Sequence, residues 1–379
     1  MRVALLPSAF APSVGGVEEL TRRLAGRLVA AGDAVEVWTI RHPSCLPADE
    51  VIGGLRVRRF ILPMPRAHAR DLLRLPSAAA VALGELTRAT IEFQPDVLHV
   101  QCFSVNGVYA VALAGHQQLP LVVSLQGETV MDDHDIYERS ATLRMGLRLA
   151  LRRADAVSAC SRFILDDAAR RFGLRPDRGL VVPNGVETDG DAAPEEISLP
   201  FDRFVLGLGR VVAKKGFDLL IEAFARLAAD RPDVGLVIAG DGPARADLAG
   251  RVAALGLTGR VHLPGPLARP QVSSVMAAAD VFVLPSRVEP FGIVVLEALR
   301  AGRPVVVSSR GGAGEIVRHQ REGLLADPLD TVALADAIAS LLDDQLLARR
   351  IAAAGSERVK HFDWSRIAGR YRAIYEGVA

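Results

Sequence analysis

The chain has 379 residues, 50% of them apolar and 23% charged, which is long enough for two globular domains and too long for one ordinary core. Its 45 basic against 44 acidic residues leave a net charge of +1, which excludes the basic footprint of a nucleic-acid-binding domain. The cysteines, Cys45, Cys102 and Cys160, form neither a disulfide framework nor a metal-ligand spacing and suit a reducing cytoplasm.

MRVALLPSAFAP at the N-terminus has one Arg and a short apolar run, as a signal peptide does. It reads better as a buried first strand, Arg2 to Leu6, entering a loop from Ser8 to Gly16. Val17, Leu20, Leu24 and Leu28 recur at helical spacing, Gly32 ends that helix, and Ala34 to Ile40 forms the next strand. Short apolar strands follow as VLHV around His99, LVVSL around Val123, AVSAC around Ser158 and GLVVP around Val182. Val97 to Gly127 lacks Asp, Glu, Lys and Arg, but Asn106, His116, Gln117, Gln118 and Pro120 interrupt it. Strand, helix and strand therefore explain it better than a membrane span. PEEISLP (Pro194 to Pro200) is polar and proline-bounded and places a linker between about Gly185 and Pro200.

The rhythm then restarts. FVLGLG, GLVIAG, RVHLPG, VFVLP and PVVVSS are strands, with helices such as Phe217 to Ala229 and Gln271 to Ala279 between them and Trp364 to Val378 as a terminal helix. The expected fold is α/β, with two Rossmann-like, doubly wound domains facing each other across a cleft. Residues 1–188 would form the first domain and 189–360 the second, with a helix over 361–379 packing back on the first.

Two stretches carry chemistry. After the strand ending at Pro285 comes Arg287-Val-Glu289-Pro-Phe291-Gly292-Ile293-Val-Val-Leu-Glu297, a loop that opens a helix near Gly292. Free N–H groups and the positive end of the helix dipole make that turn a site for phosphate, flanked by two carboxylates eight residues apart. The plain alternative is a capped helix with a solvent-facing glutamate. Earlier, VLGLGRVVAKKGFDLL runs from a strand through Arg210 and Lys215 into a helix. Two cations there can neutralise a diphosphate, or can simply be a solvated basic loop. The third glycine of a dinucleotide fingerprint is missing after Gly207-Leu-Gly209, which argues against a nicotinamide cofactor.

Together these stretches resemble the retaining glycosyltransferase family 4, with the two-domain GT-B architecture. The similarity rests on the E-x7-E pair Glu289/Glu297 and the R-x4-K-G element Arg210/Lys215-Gly216, and it spans nearly the whole chain. PSVGGVEEL, VVPNGV, AGDGP (Ala239 to Pro243), SSRGGAGEIV (Ser308 to Val317) and GLLADPLD extend it. The resemblance implies a retaining transfer of a sugar from a nucleotide-diphosphate-sugar donor to a glycan, lipid-linked or small-molecule acceptor. Arg210 and Lys215 would hold the pyrophosphate and stabilise the departing nucleotide diphosphate, replacing a metal; no metal site and no cofactor are expected. Glu289 would bind hydroxyls of the transferred sugar and Glu297 those of the ribose. Phe291, Gly292 and Ile293 would offer backbone N–H groups, and Gly16 would let backbone approach the phosphate from the first domain.

One departure stands out. Many relatives have His-Gly after the strand equivalent to LVVSL, where this chain has Gln126-Gly127-Glu128. Gln126 cannot relay a proton, so Gln126 and Glu128 are candidates for positioning a sugar hydroxyl or the acceptor, with Asp133 a further one. The acidic run Asp132 to Asp135 reads as a solvated loop, and His99, His262 and His319 as structural histidines. Arg144, Arg148 and Arg152 form a basic helix face, solvated or in weak peripheral contact with anionic lipid, so the expected location is the cytoplasm or the inner face of its membrane. A GT-B epimerase or hydrolase, or a non-catalytic nucleotide-sugar-binding protein, are the competing functions.

Overall fold

The computed structural model describes residues 1–13, 15–64, 69–131, 136–188, 195 and 197–379. Asp132 to Asp135, with the candidate Asp133, and Pro194 and Glu196 of the PEEISLP linker lie outside them. The chain divides into two compact units, Met1–Pro183 with Trp364–Ala379, and Asn184–Asp363. The boundaries therefore differ from 188/189 and 360/361. Val186 N donates to the Phe362 carbonyl (2.9 Å), Thr188 Oγ1 to Asp363 (2.6 Å), and Arg300 to the Glu187 carbonyl (2.8 Å), which ties 184–188 to the second unit.

In the first unit the strands are β1 (Arg2–Pro7), β2 (Ala34–Ile40), β3 (Asp49–Ile52), β4 (Leu55–Phe60), β5 (Val97–Gln101), β6 (Leu121–Leu125), β7 (Ala156–Ala159) and β8 (Gly179–Val181). They form one sheet in the order β3-β4-β2-β1-β5-β6-β7-β8, parallel except where β3 pairs antiparallel with β4. Leu20, Leu24 and Leu28 of the helix Gly16–Ala30 pack with Val3, Leu5, Val35, Val97 and Val122 of the sheet. Trp364, Ile367, Tyr371 and Tyr375 of the last helix complete the same core.

In the second unit the strands are β9 (Arg203–Leu208), β10 (Val234–Ala239), β11 (Val261–Gly265), β12 (Val281–Leu284), β13 (Val305–Ser308) and β14 (Leu324–Ala326). All pair in parallel, and every residue of β10, β12 and β13 is buried, as continuous apolar runs covered on both faces should be. The order is β11-β10-β9-β12-β13-β14. The chain winds outward from β9 in one direction and from β12 in the other, so the loops leaving the carboxyl ends of these neighbours diverge and open a crevice. Doubly wound sheets bind ligands at such a switch point.

Candidate active site

The two stretches singled out from sequence leave β9 and β12, the strands that flank the switch point. After β9, Arg210 is exposed, and Ala213–Lys215 form one turn of 3-10 helix. Gly216 then redirects the chain into the helix Phe217–Ala228 with φ +68°, where a Cβ would lie 2.1 Å from the Pro285 carbonyl oxygen. Only glycine meets both demands. The Arg287 N–H donates to the Lys214 carbonyl (2.8 Å), and its guanidinium to the Ala213 carbonyl (2.8 Å) and both Asp218 oxygens (2.7 and 2.6 Å). Burial pushes the Asp218 carboxyl up, but Arg287 outweighs it and leaves the group below its ordinary value.

These ties bring Lys215 and Glu289 together. Lys215 Nζ donates to Glu289 Oε2 at 2.6 Å, with both side chains largely buried. Ser286 Oγ, fully buried, donates to the same oxygen at 2.9 Å. Glu289 is fixed from behind as well. Its backbone bridges to Gly311, and the Gly312 N–H donates to its carbonyl at 2.7 Å. Gly311 has φ +97°, and a Cβ there would sit 2.3 Å from the Glu289 carbonyl oxygen. The SSRGGAGE stretch is thus a clamp on Glu289.

Phe291 is buried against Phe362, with ring centroids 6.1 Å apart. Gly292 precedes the helix Ile293–Arg300, whose hydrogen bonding starts with the Val295 N–H on the Gly292 carbonyl (2.9 Å). The N–H groups of Phe291, Gly292 and Ile293 lie ahead of it, as the first N–H groups of a helix do. Glu297 lies half-buried within this helix. Val211, Val212, Phe217, Leu248 and Arg287 help line a cavity of about 230 Å³ that includes neither Lys215 nor Glu289, so the chemistry is not placed there.

In the first unit Gly16 starts the helix behind β1, and a Cβ there would meet no heavy atom within 4 Å. Local packing does not demand a glycine at that position. Gln126 follows β6. Its Nε2 donates to Gln101 Oε1 (3.0 Å), while its buried Oε1 has no partner among the described residues. Gln101 Nε2 lies 3.1 Å from His99 Nε2, Ser124 Oγ lies 2.7 Å from the same nitrogen, and His99 Nδ1 meets the Tyr375 hydroxyl at 2.6 Å. A neutral ring with Nε2 accepting and Nδ1–H donating satisfies all three contacts. Burial supports it, holding the His99 pKa at about 3.

Glu128, half-buried, is partly committed to its own loops. One carboxylate oxygen accepts from the Phe103 N–H (2.6 Å) and the other from the Gln126 N–H (2.7 Å), strapping together the loops after β5 and β6. Burial pushes its pKa up to about 6, against the lowering effect of those hydrogen bonds. Arg144 turns onto the Tyr137 and Glu138 carbonyls and Arg148 onto that of Arg171, so the basic helix face is partly turned inward. His319 accepts from the Leu325 N–H (3.0 Å), a structural role. No described helix is long and apolar enough to cross a membrane, and no three described His, Cys, Asp or Glu residues gather as a metal site would require.

Ser286 and Gln101 carry no motif in the sequence, and Arg287, which opens the E-x7-E stretch, has no role assigned to it by spacing alone. Ser286 stands three residues before Glu289, and the polar residues His99, Gln101, Ser124, Gln126 and Ser158 fall at every second position of strands that are otherwise apolar. That period marks one polar sheet face.

Residues 14–189 match the family described as Glycosyltransferase Family 4, and 195–358 match Glycosyl transferases group 1. The glycogen synthase of Mycobacterium tuberculosis (strain ATCC 25618 / H37Rv) is 30% identical over 99% of this chain and 94% of its own. The chain belongs to glycosyltransferase family 4. Among solved structures, the sucrose-phosphate synthase of Thermosynechococcus elongatus superposes with a TM-score of 0.80 at 26% identity, covering 99% of this chain and 98% of that one. Anabaena HepE in complex with UDP and glucose gives a TM-score of 0.76 at 25% identity, covering 99% of each chain. This glycosyltransferase therefore has the GT-B fold expected from its motifs, with two Rossmann-like units.

Proposed function

We propose that this glycosyltransferase transfers a sugar, with retention of anomeric configuration and without a metal, from a nucleotide-diphosphate sugar to a hydroxyl of a glycan, lipid-linked or small-molecule acceptor. The observation that carries the reading is the pairing of Lys215 and Glu289 at the switch point, beside a helix start with uncommitted N–H groups. In this reading Arg210, Lys215 and the Phe291–Ile293 turn hold the pyrophosphate, and the two cations stabilise the leaving nucleotide diphosphate as a metal would. Glu289 holds the sugar hydroxyls and Glu297 the ribose. Gly16 admits backbone to the phosphate, and the unpartnered Gln126 Oε1 accepts from a hydroxyl of sugar or acceptor. The leaving phosphate takes the acceptor proton on the face it departs from. The Anabaena HepE structure holding UDP and glucose makes UDP and glucose the first substrates to try.

The test is a thermal-shift screen of UDP, GDP and ADP with their sugar derivatives in EDTA, then NMR of the transferred anomer. A nucleotide at 100 times its Kd should stabilise by about 2.7 kcal/mol. Retention in EDTA with an α-linked donor is expected. Inversion, dependence on a divalent cation, or no shift from any nucleotide would each overturn its part of the reading.

A further inference from the structure

The contact between Lys215 and Glu289 sets a cation for phosphate against a carboxylate for sugar. Both donors available to Glu289, Lys215 Nζ and Ser286 Oγ, converge on Oε2. Oε1 accepts no hydrogen bond from the described residues, so one oxygen stays open while the other is held. The Gly311–Gly312 clamp holds the Glu289 backbone and the Ser286 hydroxyl bonds the same oxygen as Lys215, which together favour the carboxylate staying beside the lysine. Any phosphate that takes up Lys215 then does so beside that negative charge.

We propose that Glu289 competes with the terminal phosphate for Lys215, and that this competition makes the site prefer a donor carrying its sugar over the bare nucleoside diphosphate. The inference rests on the donor-site reading above. A sugar brings hydroxyls that donate to the open Oε1 and compensate the carboxylate for sharing its lysine. The product of transfer brings no such hydroxyl and an additional phosphate charge. It meets the same carboxylate with nothing to offset the repulsion. Glu289 thus acts on product release as well as on the sugar, and Ser286 is the positioning residue that keeps it there.

Isothermal titration of UDP and UDP-glucose, or of whichever nucleotide pair the unmutated protein binds, tests this in Glu289→Gln and Glu289→Ala. The bare diphosphate should bind at least about fivefold tighter to both variants, since one charge-assisted hydrogen bond to Lys215 is worth a tenfold change or more. The nucleotide sugar should gain nothing. The gain should vanish in a Lys215→Met background, and melting curves would certify that each variant is folded. If the unmutated protein binds the diphosphate and both variants bind it equally or more weakly, the competition is disproved while the donor reading stands. If the gain persists without Lys215, the competition is likewise disproved. If no nucleotide binds the unmutated protein, both readings fail together.

Discussion

Lys215 and Glu289 are 74 residues apart in sequence and 2.6 Å apart in space, and each is where the other needs it only because the intervening chain makes one full excursion through β10, β11 and back to β12. Lys215→Met should lower kcat/KM by about 10- to 150-fold, the worth of one charge-assisted contact in the transition state. Rates within threefold of the unmutated protein would remove Lys215 from the pyrophosphate. Buried His99 and half-buried Glu128 of the first unit make an opposed pair in acid. His99, held neutral with a pKa of about 3 against 6.5, contributes stability that is complete above pH 6.5 and is lost as pH falls. Glu128, raised to about 6 from 4.5, binds its proton more tightly when folded, so its contribution is present below pH 4.5 and is lost as pH rises through 6. Between pH 6 and 4.5 the two slopes cancel. Urea unfolding of His99→Gln should therefore show stability rising by about 2 kcal/mol as pH falls across that window, while Glu128→Gln should show the uncompensated fall. Flat profiles in both variants would refute the assignment.

At the scale of elements, the function depends on loops pressed together by glycines. Gly216→Ala would force an L side chain into φ +68° and against the Pro285 carbonyl. It should cost about 2–4 kcal/mol and depress activity by displacing Lys215, whereas Gly16→Ala should leave the melting temperature unchanged. Thermal melts of both variants check this contrast. The central strands β10, β12 and β13 were legible because both faces are covered, and their short apolar runs, free of charged residues, give them away. The hairpin β3–β4 was not. Arg56, Arg58 and Arg59 interrupt its pattern, and they are tolerated there because Asp49, Glu36 and Glu50 pair with them. Its Gly53-Gly54 turn, with φ +56° and +82°, was the overlooked signal. Arg210, Lys215, Glu289 and Glu297 could be picked out because their spacing is local to each loop. The Lys215–Glu289 contact, the Ser286 support and the Gln126–Gln101–His99 chain could not, since each depends on which strands become neighbours.

At the scale of the molecule, the division is unequal in kind. The second unit is one continuous stretch, Asn184–Asp363, whereas the first borrows its final helix from the far end of the chain. Tyr371 and Tyr375 are among its largest fully buried side chains, and Tyr375 also anchors His99. Tyr375→Ala should destabilise by about 3–5 kcal/mol. In calorimetry the loss should fall on one transition and leave that of the second unit in place; a uniform shift of both would refute independent units. The same borrowing fixes an order of events during synthesis. Residues 1–183 leave the ribosome with a gap in their core where Trp364 and the tyrosines belong, and must wait while 180 further residues are made. The second unit, self-sufficient, can settle first, so the half made later is the half finished earlier.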